Sequence, residues 1–336
     1  MKALLLADKE QPLVIKDVPD LTGGKDEAIV KINAAALNHR DLYIQKGRYA
    51  GLKYPIILGS DGSGIVSATG SAGDSHWIGK EVIIYPSLNW GDEQSHQSPD
   101  NFKILGLPDD GTFAEYVKVP VKNLFEKPAH LSFEEAAALP LAGLTAYRAL
   151  FKRANLQPKE KILITGTGGG VALFALQYAI ATNGDVYITS GDDEKIEKAI
   201  ALGANAGVNY KNENWAETLK QHAGSFDIIV DGTAGDGMDD LLNLAKPGGA
   251  MVLYGATLGN PSNLTARRIF WKQLNVLGTT MGSTIDFSEM IAFVEKHKIK
   301  PIVDKVFSFA DGEAAMQRMN GSKQFGKIVI KVVDGQ

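Results

Sequence analysis

A glycine-rich turn set between two predicted β-strands constrains this chain more than any other feature in it. Lys161-Ile-Leu-Ile-Thr165 is a short apolar, β-branched run that reads as a buried parallel strand. It leads into Gly166-Thr167-Gly168-Gly169-Gly170-Val171-Ala172, after which Leu173, Leu176, Gln177 and Ile180 recur at helical spacing. A second strand, Asp185 to Ser190, comes next, and a charged helix from Asp192 leads to Leu202-Gly-Ala204. Strand, glycine turn, helix and strand in close succession make the βαβ unit that binds a dinucleotide. Bare glycines let the backbone approach a pyrophosphate, and the helix N-terminus adds unpaired N–H donors and a positive dipole end. Two registers fit the turn, Gly166-x-Gly168-x-x-Val171 and Gly166-x-x-Gly169-x-x-Ala172. The second places a small residue where helix and strand must pack closely, and it is preferred.

The end of the second strand selects the cofactor. An NAD site places Asp or Glu there to bind the ribose hydroxyls. This chain has Ser190 and Gly191, with Lys195 one turn into the next helix. A hydroxyl, a glycine and a cation suit a 2′-phosphate, which points to NADPH. Asp192, Asp193 and Glu194 fall in the first helical turn, where acids complement the dipole.

The βα alternation continues through Phe226–Asp231, Met238–Leu244, a turn at Pro247-Gly-Gly249, and strands Ala250–Tyr254 and Gln273–Gly278. These features predict a doubly wound parallel sheet, a Rossmann-type α/β domain over residues 122–283. The first third is β-rich, with strands expected at 1–6, 13–18, 27–35, 65–69, 81–85 and 112–119. A polar loop from Asn89 to Asp110 is long enough to suggest a functional or protruding segment. Ser132-Phe-Glu-Glu135 reads as a capping box for a helix running to Pro140, with a second helix over 145–153. A closing segment, 284–336, carries a helix at 286–297 and a strand at 327–333. It is expected to rejoin residues 1–121, because a lone helix and strand cannot bury their own apolar faces.

Net charge is −4 and no Lys/Arg block occurs, so no nucleic-acid footprint is present. No apolar run reaches membrane-spanning length, and Met1–Ala7 is cut off by Asp8-Lys-Glu10, so it reads as a strand and not a signal peptide. A cytoplasmic enzyme is the expectation. The absence of cysteine rules out disulfides, thiolate nucleophiles and Cys-ligated zinc. The six histidines are scattered without metal-site spacing.

Four segments carry a resemblance over essentially the whole chain: Asn38-His-Arg-Asp-Leu-Tyr-Ile-Gln-Lys-Gly-Arg-Tyr49, Leu58-Gly-Ser-Asp-Gly-Ser-Gly-Ile-Val66, Gly111-Thr-Phe-Ala-Glu-Tyr-Val117 and Ala138-Leu-Pro-Leu-Ala-Gly-Leu-Thr-Ala-Tyr147. The chain resembles the medium-chain dehydrogenase/reductases, which implies a GroES-like β domain built from both chain ends. In the zinc alcohol dehydrogenases of that superfamily, metal ligands stand where this chain has Asn38, Ser60 and Leu141. The resemblance is therefore to the zinc-free branch, similar to quinone oxidoreductases and zinc-type alcohol-dehydrogenase-like proteins, and no metal site is expected.

The resemblance also implies site residues. Asn38 is expected beside the nicotinamide ribose or the substrate, while Tyr49 and Tyr43 can donate to a carbonyl oxygen and Asp41 orients a partner or caps a turn. Thr145 is expected to face the cofactor, Tyr210 to pack at the 2′-phosphate, and Phe325, Gly326 and Lys327 to reach back to the cofactor. Thr233, Gly255, Ala256 and Thr257 sit just past strand C-termini, where open α/β sheets bind ligands. Met281 and Gly282 follow the last sheet strand, at the carboxamide end. Without a metal the expected chemistry is NADPH-dependent hydride transfer to a quinone or an enone. A zinc-type alcohol dehydrogenase with unusual ligands, and an NADPH-binding protein without turnover, stand as alternatives. Gln273–Thr280 reads as a sheet-edge strand, so a homodimer with Leu274, Val276 and Leu277 at or beside the contact is expected.

Overall fold

The computed structural model describes residues 1–332, so the expected continuation of the last strand to Val333 lies outside the described residues. Contacts divide the chain into one unit of Met1–Ala142 with Gly282 onward, and a second unit of Gly143–Met281. The first unit reaches past the expected boundary at 121. Strand Leu124–Glu126 pairs with Glu81–Ile84, and helix Phe133–Ala138 seats Ala137 and Ala138 against Ala34, Ala36 and Val329. Those contacts bind 122–142 to the β-rich unit.

The second unit holds a six-stranded parallel sheet of Lys161–Ile164, Asp185–Ser190, Ala206–Asn209, Phe226–Asp231, Ala245–Leu253 and Asn275–Gly278. Numbered along the chain, they lie in the order 3-2-1-4-5-6, that of a doubly wound dinucleotide fold. Helix Gly170–Ala181 links the first two strands. It has no amphipathic stripe because it is buried nearly all round, through Ala172, Leu173, Phe174, Ala175, Leu176, Tyr178 and Ala179. Ala172 is fully buried whereas Val171 is half-exposed, which fits the register that ends on Ala172. Leu163, Phe226, Ile229, Leu241 and Met251 form a core with Leu274.

Two local expectations are corrected. Pro247-Gly-Gly249 lies inside strand Ala245–Leu253, where the pairing register shifts between Phe226 and Ile228, and Gly248 takes a positive φ. The turn chemistry is thus absorbed as a bulge. The helix expected from Thr145 begins at Pro140, a residue suited to a first helical turn, and widens into a π-helical segment at Arg148–Arg153.

In the first unit, the ten-residue strand Glu27–Ala36 is central: Asp61–Thr69, Tyr116–Pro120 and Lys327–Lys331 all pair with it. The closing strand runs antiparallel, with Val329 opposite Ala36, and Leu37 N donates to Ile328 O at 3.0 Å. This register sets Lys327 beside Asn38. A parallel neighbour, Val303–Ser308, was not legible in advance. The long loop is ordered locally by pairing of Ser87–Leu88 with Lys103–Ile104 and an edge contact between Trp90 and Phe102. No helix among the described residues is long and apolar enough to cross a membrane.

Candidate active site

The glycine turn of the second unit is built for a phosphate. Gly166 has φ +62° and Gly168 φ +128°, conformations that suit glycine, and a Cβ on Gly168 would stand 2.8 Å from Lys195 Cδ. Gly169 is the N-cap of helix Gly170–Ala181, so the helix N-terminus follows the turn directly. Thr167 N donates to Thr189 O at 2.9 Å and Ser190 Oγ donates to Thr167 O at 3.0 Å, which stitches the turn to the end of the second strand. A cavity of about 360 Å³ opens here, bounded by Thr165, Gly166, Thr189, Tyr210, Trp215, Thr233, Asp236 and Leu258 among others. Its bare backbone beside a helix N-terminus suits a phosphate group.

Around the strand end the charges divide. Asp192 caps its own helix by accepting from Glu194 N at 3.0 Å, and Asp193 accepts from Asn209 Nδ2 at 2.9 Å. Lys195 lies against Gly168, while a Cβ on Gly191 would stand 2.7 Å from Tyr210 Oη and 2.9 Å from Lys211 Cε. One further carboxylate organises the cradle. Asp231, fully buried, accepts from Thr165 Oγ1, from Thr233 Oγ1 at 2.6 Å and N at 3.1 Å, and from Ala234 N at 2.8 Å. It thereby fixes Thr233, whose methyl group faces Gly166.

The first unit carries a buried polar network around Asn38, the N-cap of helix His39–Gln45. Asn38 N donates to Asp41 Oδ2 at 2.8 Å and Gly59 N to Asp41 Oδ1 at 3.3 Å. Burial pushes the Asp41 carboxyl up, opposed by the Arg40 charge and the Asn38 hydrogen bond. The Asn38 amide is held at both ends: Nδ2 donates to Asp61 Oδ2 at 3.0 Å and Oδ1 accepts from Lys327 Nζ at 2.6 Å. The ammonium also donates to Leu37 O at 2.7 Å and Asp61 Oδ2 at 3.0 Å, and Asp61 Oδ1 accepts from Leu141 N at 2.8 Å. Ser60 is fully buried, accepting from Arg40 Nη1 at 2.7 Å and donating to Leu105 O at 2.7 Å. His39 keeps an exposed face, yet the protein around it desolvates the ring and the Lys327 charge repels a proton, so its pKa is lowered.

The comparisons fit this geometry. A family model described as zinc-binding dehydrogenase matches residues 170–296, and an alcohol dehydrogenase GroES-like domain matches 24–129. A zinc-type alcohol dehydrogenase-like protein YogA of Leptosphaeria maculans is 35% identical, over 96% of this chain and 95% of its own. The chain belongs to the medium-chain dehydrogenase/reductase superfamily. A solved structure titled NAD-dependent alcohol dehydrogenase superposes with a TM-score of 0.92 at 34% identity, covering 99% of this chain and 100% of that one. An acryloyl-coenzyme A reductase of Sulfurisphaera tokodaii is 28% identical over 98% of this chain and 100% of its own. The protein is therefore an oxidoreductase with a nicotinamide cofactor.

At the three positions that the resemblance matches to zinc ligands, the side chains are engaged otherwise or apolar. Asn38 Oδ1 holds an ammonium, Ser60 Oγ holds a guanidinium and Leu141 offers an alkyl group. Among the described residues no group of three or more His, Asp or Glu is placed to hold an ion.

Of the expected site residues, Gly166 to Val171, Ser190, Gly191, Lys195, Tyr210 and Thr233 converge in the second unit. Gly255, Ala256 and Thr257 follow the fifth strand, and Thr257 N donates to Gly232 O at 3.3 Å. Thr145 and Met281 are buried in the same unit. Two of these side chains are engaged within the protein. Lys327, expected to reach toward the cofactor, holds Leu37 O, Asn38 Oδ1 and Asp61 Oδ2 through its ammonium. Ser190 offers no spare proton, because Thr167 O accepts it. Tyr43 and Tyr49 are half-buried, and among the described residues neither hydroxyl has a hydrogen-bond partner. Phe325 is held by donation of its N–H to Asp304 Oδ1 at 3.0 Å, and Gly282 O accepts from Tyr85 Oη at 2.7 Å. Sequence reasoning missed Asp61, Asp231, Trp215, Asp236 and Leu258. A lone carboxylate inside a run of small or apolar residues was the available signal for the first two.

Proposed function

We propose that the protein is an NADPH-dependent reductase that adds hydride to a quinone or an α,β-unsaturated carbonyl compound without a metal. The observation that carries this reading is the Lys327 ammonium on Asn38 Oδ1 at 2.6 Å, which repels a second cation from the first replaced ligand position. Zinc acts in the relatives as a Lewis acid on a carbonyl or alkoxide oxygen. Simple alcohols and aldehydes need that help. A conjugated acceptor does so far less, because its developing negative charge rests on an oxygen that hydrogen-bond donors can hold.

A nicotinamide cofactor held by the glycine turn would supply the hydride. The overall change is NADPH plus acceptor plus one proton, giving NADP+ and the dihydro product. The chain's own groups bind and orient. The N–H groups at the start of helix Gly170–Ala181 hold the pyrophosphate, and Asp231 keeps Thr233 in place beside the turn. Tyr49 and Tyr43 keep their phenol protons for the acceptor oxygen. Asn38 is a positioning residue, since both ends of its amide are fixed. The acryloyl-coenzyme A reductase among the relatives is named for a conjugated acceptor, which supports this class.

The preference for NADPH rests on this chain's own strand end, where Lys195, Lys211 and Tyr210 gather and Asp192 and Asp193 bond to the protein. A homodimer follows from the sheet edge. Strand Asn275–Gly278 ends the sheet, and Val276, with Phe270 and Trp271 nearby, is exposed, at 37%, 66% and 72%. Leu274, expected at that contact, packs in the unit's own core. A cytoplasmic location is part of the same reading. The test is NADPH oxidation across quinones, enones, aldehydes and alcohols. Turnover of the conjugated acceptors is expected, and turnover confined to alcohols and aldehydes, or none at all, would overturn the proposal.

A further inference from the structure

Arg40 is buried, with the Asp41 carboxyl near enough to feel its charge. It is 7% exposed, and among the described residues it makes no ion pair. Its guanidinium is fixed from one side: Nη1 donates to Ser60 Oγ at 2.7 Å and to Leu105 O at 2.8 Å, and the group lies 5.2 Å from the centre of the Tyr49 ring. Asp41, its neighbour in sequence, uses its carboxylate on Asn38 N and Gly59 N. A guanidinium has five N–H donors, and the two on Nη1 are engaged. Nε is buried and has no partner, and no protein group accepts from Nη2.

Of the two remaining nitrogens, Nε is closed off by the surrounding protein, whereas Nη2 keeps N–H donors that suit a carboxylate oxygen. A buried cation with those donors unfilled is costly to keep unless something binds it. Lys327, the other buried cation of the network, is different: Leu37 O, Asn38 Oδ1 and Asp61 Oδ2 already take its three donors. Arg40 is also in contact with Ser60, one of the three replaced ligand positions, and with Tyr49, which carries an unengaged hydroxyl.

We propose that Arg40 sets acceptor specificity, its Nη2 donating to a carboxylate carried by the acceptor. The preferred substrates are then conjugated carbonyl compounds that bear an acid group. This inference rests on the enone reading above and narrows it.

The test uses the full-length protein with NADPH and a matched pair, 4-oxopent-2-enoate and its methyl ester. The ester is intrinsically the more electrophilic, so a preference for the acid must come from the protein. The acid should be favoured in kcat/KM by about 10- to 100-fold, chiefly through KM. Arg40→Gln should collapse the acid-to-ester ratio toward one, and Arg40→Lys should restore part of it, since an ammonium keeps the charge and loses the fork. The ratio is read on whatever fraction is folded. Should both variants fail to fold, inhibition of the unmutated enzyme by the saturated acid, 4-oxopentanoate, against its methyl ester gives the same comparison. Equal or better use of the ester by the unmutated enzyme overturns the inference and leaves enone reduction standing. An acid preference that survives Arg40→Gln overturns the assignment to Arg40. Failure to reduce either compound, with NADPH bound, overturns the enone reading and this inference with it.

Discussion

Replacing Lys327 by Met should be among the most damaging single changes in the first unit. The substitution keeps an unbranched chain of similar length and removes only the ammonium. Asp61, fully buried, would keep two neutral donors, Asn38 Nδ2 at 3.0 Å and Leu141 N at 2.8 Å, and lose the ion pair at 3.0 Å that is its only one among the described residues. Leu37 O and Asn38 Oδ1 would lose their Nζ donor in the same step. Breaking a buried pair from one side costs about 3–5 kcal/mol. The companion Asp61→Asn leaves the ammonium uncompensated and should cost a similar amount. The double variant leaves no stranded charge, so its loss should fall short of the sum of the singles by about 1–3 kcal/mol. Denaturant unfolding followed by far-ultraviolet circular dichroism at constant pH reads all three as midpoint shifts, provided the slope is unchanged. Single losses below about 1 kcal/mol, the range of a surface pair, together with additivity in the double variant, would refute the account of this network.

Three further outcomes are expected. NADPH should bind at least about tenfold more tightly than NADH in equilibrium titration, and Lys195→Ala should erase most of that preference; equal affinities in the unmutated protein would sink the assignment. His39 titrates below its ordinary value of 6.5 in the folded chain, so stability is full above that pH and declines as pH falls through it. Denaturant midpoints should therefore drop more on acidification for the unmutated protein than for His39→Gln, and an identical drop would contradict the sign. Val276→Pro removes a ladder donor at the sheet edge and should shift light scattering toward monomer, whereas a monomeric unmutated protein at micromolar concentration would end the dimer proposal.

The dinucleotide-binding half was legible because its signals are local. A β-branched strand, a run of glycines and a helix with buried alanines stand next to each other in sequence, and the strand order follows from repeated right-handed crossovers. The first unit was less legible because its pairings are long-range. Val303–Ser308 carries Val303, Val306 and Phe307, but its pairing beside the Lys327–Lys331 strand is long-range. The same distance hid the site's centre. Asp61 and Lys327 each open a strand, and only the register that sets Val329 opposite Ala36 brings them together. Asn38 was singled out, but the partners that fix its amide come from two remote strands. Trp215 reaches the cavity from the start of helix Trp215–Ala223, and Asp236 and Leu258 from two separate turns, which no spacing rule connects.

The central claim, hydride transfer without a metal, is tested most directly by measuring zinc in the purified protein alongside NADPH oxidation by a conjugated acceptor before and after chelation. Substoichiometric zinc and unchanged turnover are predicted. One tightly bound zinc per chain, whose removal abolishes turnover and whose return restores it, would contradict the reading of Asn38, Ser60 and Leu141.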